Sequence, residues 1–301
     1  MRIIDAHVHT WTRQIISRKD LEARRIAAER DGIKPQLDSP AKNLKKAMSR
    51  AGIERAVILP IDSGLNQNMP LKLQQKTNWH ADEVEGDSSL VTFVGLDPRR
   101  GKAGLAELKR AIEDRGCRGW KMYPPNGFYP DDKEFYPYYE LCTELNIPVT
   151  IHQGFTSRFK YVKYARPVHI DAVATDFPDL KIILAHVGTP WVEESLMIAT
   201  KNPNVAVDVS GWQIFASRVP MKVYQMIADA KLLRVFPNRM LWGSDFPLFE
   251  HTMPLDDWVK FFSNLRLPDT LIDQGYSQVT DDEIQSVMWK NAARLIFGEN
   301  V

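Results

Sequence analysis

The sequence predicts an α/β protein closed as a single (β/α)8 barrel, and three observations carry that expectation. Eight short runs rich in Val, Ile and Leu recur along 301 residues, each separated from the next by a stretch that reads as helix. Such runs are the mark of parallel strands buried on both faces. Eight βα units close naturally into a barrel, whereas an open doubly wound sheet uses fewer strands and places a Gly-rich phosphate loop after the first. No such loop is present. Finally, polar residues collect where the apolar runs end, which is where a barrel of this kind does its chemistry.

The chain is longer than an average domain, but barrels commonly use this much sequence as one unit, so residues 1–301 are read as one domain. With 39 basic and 38 acidic residues the net charge is +1, and bulk electrostatics point to no nucleic-acid and no membrane partner. The two cysteines, Cys117 and Cys142, lack metal-finger spacing and fit a reduced, cytoplasmic protein in which both are packing residues. No window approaches the roughly 18 to 20 apolar residues of a membrane span, and no basic-then-apolar leader opens the chain.

Taken in order, the first strand is Arg2 to Val8, ending at His9-Thr10. A polar stretch at 11–38 follows, read as an insertion over that strand's end, with a short helix at Lys19 to Arg30. Ser39 as N-cap and Pro40 at the first helical position open a helix that Gly52 stops. The second run is Ala56 to Pro60. A helix from about Met69 to Asp87 leads to the third run, Val91 to Leu96. Helices at Lys102 to Arg115 and Asp132 to Leu145 lead to runs at Cys117 to Tyr123 and Pro148 to Gly154. Helices near His169 to Phe177 and Trp191 to Thr200 lead to runs at Leu180 to Gly188 and Val205 to Gly211. A helix at Val219 to Ala230 precedes the eighth run, Met240 to Pro247, and a helix at 281–297 closes the chain.

Histidines are concentrated at the strand ends. Of the seven, His7, His9, His152 and His186 finish runs one, five and six, while His80, His169 and His251 fall in helices or loops. Residues two apart on a strand share a face, so His7 and His9 form a chelating pair with Asp5 below them. The eighth run adds Asp245. Imidazoles and a carboxylate converging on one point suit one divalent metal ion, zinc favoured, with manganese, iron or cobalt as alternatives. His7, His9 and His152 are read as ligands, with Asp245 as a weaker ligand or as the catalytic base, and His186 as a proton carrier near the metal. Asp5 reads as an ordering or buried structural acid.

Asp5-Ala6-His7-Val8-His9, Ile151-His152-Gln153-Gly154, Leu184-Ala185-His186-Val187-Gly188 and Gly243-Ser244-Asp245-Phe246-Pro247 together resemble the amidohydrolase superfamily. Within it they are similar to the branch containing aminocarboxymuconate-semialdehyde decarboxylase and related aromatic-acid decarboxylases. The likeness extends to Phe177-Pro178-Asp179-Leu180-Lys181 and Asn291-Ala292-Ala293-Arg294-Leu295. It implies a single metal on His7, His9, His152 and Asp245, with His186 as acid or base. It also implies either hydrolysis of a small lactone, amide or ester, or non-oxidative loss of carbon dioxide from an aromatic or muconate-type acid. A non-catalytic metal-binding barrel is the alternative from another class.

Lys121 ends the fourth run, where binuclear relatives carry a bridging carboxylated lysine; a substrate-facing or structural role is preferred here. Asp208 reads as an ordering residue or a buried acid bonded to backbone, and Trp212 and Trp242 as pocket lining or barrel packing. The loop after His152 crowds Phe155, Arg158, Phe159, Lys160, Tyr161, Lys163, Tyr164 and Arg166 with no acid, which suits a small carboxylate-bearing substrate, Arg158 being the candidate contact. It reads equally as a solvated surface or as a contact with a second subunit in a homodimer. Arg13 and the segment after it are candidates for the same lid.

Overall fold

Each apolar run becomes a strand, or for the third run two, that ends before the run does, because the last residues of the run leave the ladder for the loop that follows. The computed structural model describes residues 1–63, 65 and 72–301. Its strands are β1 (Ile4–Val8), β2 (Arg55–Ile58), β3 (Leu90–Thr92), β4 (Val94–Gly95), β5 (Trp120–Met122), β6 (Val149–Ile151), β7 (Ile182–Leu184), β8 (Val205–Asp208) and β9 (Met240–Leu241). All pairs are parallel, in the orders β1-β2-β3 and β4 through β9. β3 and β4 are one stave interrupted at Phe93, whose N–H donates to the Ile58 carbonyl at 2.9 Å while Val94 N–H turns to Gly119 at 2.8 Å. At the other seam Ala6 N–H donates to Trp242 at 3.0 Å, Asp245 N–H to His7 at 2.8 Å and His9 N–H to Phe246 at 2.8 Å. The ring of eight staves is thereby closed, as the (β/α)8 expectation requires.

The helices are α1 (Arg18–Arg30), α2 (Ala41–Ala51), α3 (Leu73–Val84), α4 (Gly101–Glu113), α5 (Tyr136–Glu144), α6 (Val168–Asp176), α7 (Val192–Lys201), α8 (Gln213–Arg218), α9 (Met221–Leu232), α10 (Leu255–Ser263), α11 (Asp269–Ile272), α12 (Asp281–Gln285) and α13 (Asn291–Phe297). The expected start of the third helix at Met69 lies outside the described residues. No helix among the described residues is long and apolar enough to cross a membrane.

One local expectation is corrected. Ser39 is not the N-cap of α2: Pro40 holds that place, and the backbone of Ser39 pairs both ways with Trp11, at 2.7 and 2.9 Å. That pairing ties together the two ends of the 11–38 excursion, and the Glu83 carboxylate accepts from Ala41 N–H at 2.6 Å where a cap hydroxyl would have served. Gly52 does stop α2, in the left-handed conformation at φ 71°. The closing helix runs without a break from 281 to 297, as expected, but is not α throughout. A π turn at Ser286–Lys290 separates α12 from α13, and the carbonyl of Val287 accepts from Trp242 N–H at 3.0 Å. Trp242 therefore stays in the sheet through its carbonyl alone, which accepts from Ala6 N–H, and β9 is only two residues long. α8, α10 and α11 were not among the expected helices.

The α3–β3 turn is pinned to α2 by an ion pair whose pH dependence has a definite sign. Asp87 accepts from Ser89 N–H at 3.0 Å and Ser89 Oγ at 2.6 Å, and Lys45 Nζ lies 2.5 Å from its other oxygen. The Lys45 contact, ahead of the Ser89 bonds, lowers the Asp87 carboxyl to about 2. Since the folded pKa lies below the unfolded one, this contribution is present above about pH 4 and is lost as pH falls toward about 2. Urea unfolding should show Asp87→Asn less stable than wild type at pH 6 and the gap narrowing steadily as pH falls from about 4 toward about 2; a constant gap would mean the charge of Asp87 is not what holds the turn.

Candidate active site

The carboxyl ends of the strands bring the chemistry-bearing side chains together. β1 carries His7 and ends just before His9; His152 follows β6, His186 follows β7, Asp208 ends β8 with Ser210 beyond it, and Asp245 follows β9. All are buried. Two of these positions and one neighbour use left-handed backbone that residues other than Gly seldom adopt: His186 at φ 61°, the adjacent Val187 at 47°, and Asp245 at 56°. Each costs on the order of 1 to 3 kcal/mol, and such strain collects at functional sites. The site also needs Gly243, where an added Cβ would stand 2.9 Å from the Cβ of His7.

The partner on one nitrogen of each imidazole decides what the other can do. His7 Nδ1 lies 2.9 Å from an Asp208 oxygen, His9 Nδ1 2.6 Å from the Leu59 carbonyl, His152 Nε2 2.7 Å from the Phe155 carbonyl and His186 Nδ1 3.0 Å from the Ser210 carbonyl. Those oxygens only accept, so each of these nitrogens carries the hydrogen and the remaining nitrogen of each neutral ring carries a lone pair. The lone pairs face one another. His9 Nε2 is 2.9 Å and His7 Nε2 3.8 Å from Asp245 Oδ1, which has no hydrogen-bond donor, and His152 Nδ1 is 3.2 Å from His186 Nε2. Buried acceptors at those separations repel unless a cation lies among them. The Lys121 ammonium, 3.4 Å from His7 Nε2, serves that ring and leaves the His9–Asp245 and His152–His186 contacts without one.

The residues therefore fit a divalent metal. His7, His9 and Asp245 offer ligand atoms within 4.8 Å of one another, and His7, His186 and Asp208 do the same. His152 belongs to neither group and faces His186. Asp208 is an organiser: besides His7 it accepts from His186 N–H at 3.1 Å and Ser210 N–H at 3.0 Å, and the Ser210 hydroxyl also donates to it. Asp5 accepts from Ser244 N–H at 3.0 Å and Ser244 Oγ at 2.5 Å, locking β1 to the turn that presents Asp245.

Burial and charge tune these groups. Burial, then the Lys121 ammonium, pushes His7 down to about 3, so its ring is neutral and available as a ligand. Burial opposes ionisation of Asp208, and His7 overrides it, leaving the group well below the usual range. Burial lifts Asp5 to about 7 and drops Lys121 to about 8.

Above the site lies a cavity of about 850 Å³, a size that takes a small organic ligand. His9, His152, His186 and Asp245 open into it. The 11–38 excursion supplies a wall through Trp11, Ile15 and α1. Arg13 does not take part, since it is spent on Asp38 at 2.7 Å. Lys121 is fully buried with its ammonium 3.4 Å from His7 Nε2, and it does not line the cavity. Arg158 lines the exposed rim. Trp212 lines the wall and donates its indole N–H to the His186 carbonyl at 2.9 Å, steadying the strained turn, whereas Trp242 stacks on Trp258 away from it.

Some cavity residues fall outside a reading based on strand ends. Arg24 comes from α1, and Lys76 and His80 from α3. Their only sequence signal is helical spacing: Asp20 and Arg24, and Lys76 and His80, are each four apart and so share a face.

The amidohydrolase family model matches residues 4–297. Protein fluG of Emericella nidulans is 26% identical over 157 residues, which is 52% of this chain and 17% of that protein, so the chain spans under a fifth of that relative's length. Among solved structures, 5-carboxyvanillate decarboxylase from Sphingomonas paucimobilis superposes with a TM-score of 0.68 at 15% identity, covering 98% of this chain and 99% of that one. A probable 2-pyrone-4,6-dicarboxylic acid hydrolase from Acinetobacter baumannii, with citric acid bound, gives 0.66 at 15% identity over 99% and 100%. An amidohydrolase from Burkholderia multivorans with bound zinc gives 0.69 at 16% identity over 99% of both chains. At such identities these are likenesses of fold.

Proposed function

The chain belongs to the amidohydrolase family, and from that premise we propose that it is a mononuclear metal-dependent hydrolase of a small organic acid derivative, a lactone, amide or ester. The observation that carries the reading is the set of inward lone pairs, those of His7 and His9 toward Asp245 Oδ1 and those of His152 and His186 toward each other. His7, His9 and Asp245 would hold the metal, with His152 as the further ligand. Zinc is favoured for this nitrogen and oxygen set. When bound, a divalent cation polarises a carbonyl or acidifies a water.

The residues of the chain do the rest. His186 Nε2, its other nitrogen fixed by the Ser210 carbonyl, accepts the proton of the attacking water and returns it to the leaving oxygen or nitrogen. Asp208 and Ser210 keep the His7 and His186 rings in the required orientation. Trp11 and α1 wall off the cavity from bulk water.

Non-oxidative decarboxylation of an aromatic or muconate-type acid is the second reading. The arrangement of motifs shared with that branch, and a structural neighbour that is a decarboxylase, support it. Products separate the two. Metal-replete protein is expected to release acid from a lactone, ester and amide panel. Carbon dioxide from hydroxybenzoates or muconate-type acids, with the panel untouched, would replace hydrolysis by decarboxylation.

A further inference from the structure

Several cations line the cavity wall, and most are already satisfied. Lys76 donates to the Ile61 carbonyl; Lys160 donates to the Ser63 carbonyl at 3.1 Å and to Asn126 Oδ1 at 2.7 Å. Arg30 is bound twice by Asp31, at 2.7 and 2.9 Å, and Arg158 and Arg218 are exposed. Arg24 is different. Its guanidinium carbon sits 3.5 Å above the centre of the Trp11 ring, its Nε is buried without an acceptor, and among the described residues no carboxylate lies within ion-pair reach. Asp20, one helical turn earlier, is held instead by the hydroxyls of Ser17, at 2.7 Å, and Ser63.

A second orphan lies beside it. The indole N–H of Trp11 is also buried without an acceptor, and both residues face the cavity. Two stacked donors that lack an acceptor inside a ligand-sized space are a cost the fold does not recover by itself. A planar guanidinium backed by an aromatic ring is matched by a planar anion that takes two parallel hydrogen bonds. Burial lowers the Arg24 guanidinium to about 10, which still leaves it charged at neutral pH.

We propose that Arg24, stacked on Trp11, is the specificity-determining seat for a carboxylate of the substrate, on the wall built by α1 and separate from the imidazole cluster. The assignment rests on the reading of the site as that of a metal-dependent enzyme. An acid group held by Arg24 is not the group that reacts, so the substrate carries its scissile bond on a second group that reaches the imidazoles. A flat ring bearing both groups fits the aromatic and aliphatic wall of Trp11, Ile15, Ile16, Leu248 and Phe249.

3-Carbamoylbenzoate and isophthalamide are near-isosteric, share the amide that would reach the imidazoles and differ in the one acid group that Arg24 would hold, so calorimetric titration of both into the metal-loaded full chain isolates the seat. Wild type should bind 3-carbamoylbenzoate roughly tenfold or more tighter than isophthalamide, the difference expected for a charge-assisted pair. Arg24→Met should bring the ratio to about one and Arg24→Lys should keep part of it, while Arg25→Met, the same charge change at the exposed neighbour, should leave it intact. Thermal melts confirm that each variant is folded. A ratio near one in wild type, a ratio surviving in Arg24→Met, or an equal loss in Arg25→Met would each overturn the assignment. The titrations are repeated on chelator-treated protein with metal content read in parallel. A chain that binds no metal but keeps an Arg24-dependent ratio counts against the enzymatic reading alone.

Discussion

Asp245→Asn and His7→Ala proteins are expected to fold, to lose stoichiometric divalent metal, and to lose turnover by about a thousandfold or more, since the polarisation a metal supplies is worth several kcal/mol and each 1.36 kcal/mol is tenfold. Asp208→Asn touches the metal only through His7 and should cost about 10- to 100-fold in metal affinity. The Asp245 substitution carries a second signature. In metal-free wild type the Asp245 carboxylate faces the lone pairs of His9 and His7 with no donor of its own. An Asn amide can donate to His9 Nε2. Metal-stripped Asp245→Asn should therefore melt at or above metal-stripped wild type, although it melts below the metal-loaded protein. Elemental analysis and melting curves on the four samples check this. Full metal occupancy in both variants would place the ion elsewhere in the chain.

How far the sequence could take this site depends on which physical signal each residue leaves. His7, His9, His152, His186 and Asp245 were legible because parallel strands deliver their last residues to one face of a barrel, so an apolar run ending in a polar residue already implies convergence. The stave order followed from the same runs. Strand lengths did not, because pairing depends on neighbours: Trp242 belongs to an apolar run, but its N–H is claimed by Val287 across a π turn. Ser39 followed the N-cap preference and was overridden by its pairing with Trp11, a contact made across the whole excursion.

Orientation was the larger blind spot. Which nitrogen of each ring faces the centre is set by Leu59, Phe155, Asp208 and Ser210, and a sequence does not show that a carbonyl will arrive there. The left-handed backbone at His186, Val187 and Asp245 is equally silent, since none of these residue types favours it strongly. Arg24 was missed for another reason. It lies in a polar helix outside the barrel pattern, where one more arginine among several reads as solvated surface. Only its lack of an acceptor, visible once the fold is assembled, separates it from Arg25.

His186→Gln should separate proton transfer from metal binding, and with it the mononuclear reading from its rivals. The substituted side chain keeps a polar group near Ser210 but cannot carry a proton, so turnover should fall by about 10²- to 10⁴-fold, the usual worth of a positioned general base. Metal content should remain that of wild type, because His186 lies outside the His7, His9 and Asp245 group. The backbone argues that the effect will be chemical: the left-handed turn at φ 61° is held by Asp208 at the His186 N–H and by the Trp212 indole at its carbonyl, and both bonds survive the substitution. Loss of metal in this variant would make His186 a ligand and favour a centre that also uses the His7, His186 and Asp208 group. Unchanged turnover with metal in place would remove His186 from the reaction and leave the inward lone pair of His152, 3.2 Å away, as the remaining imidazole base.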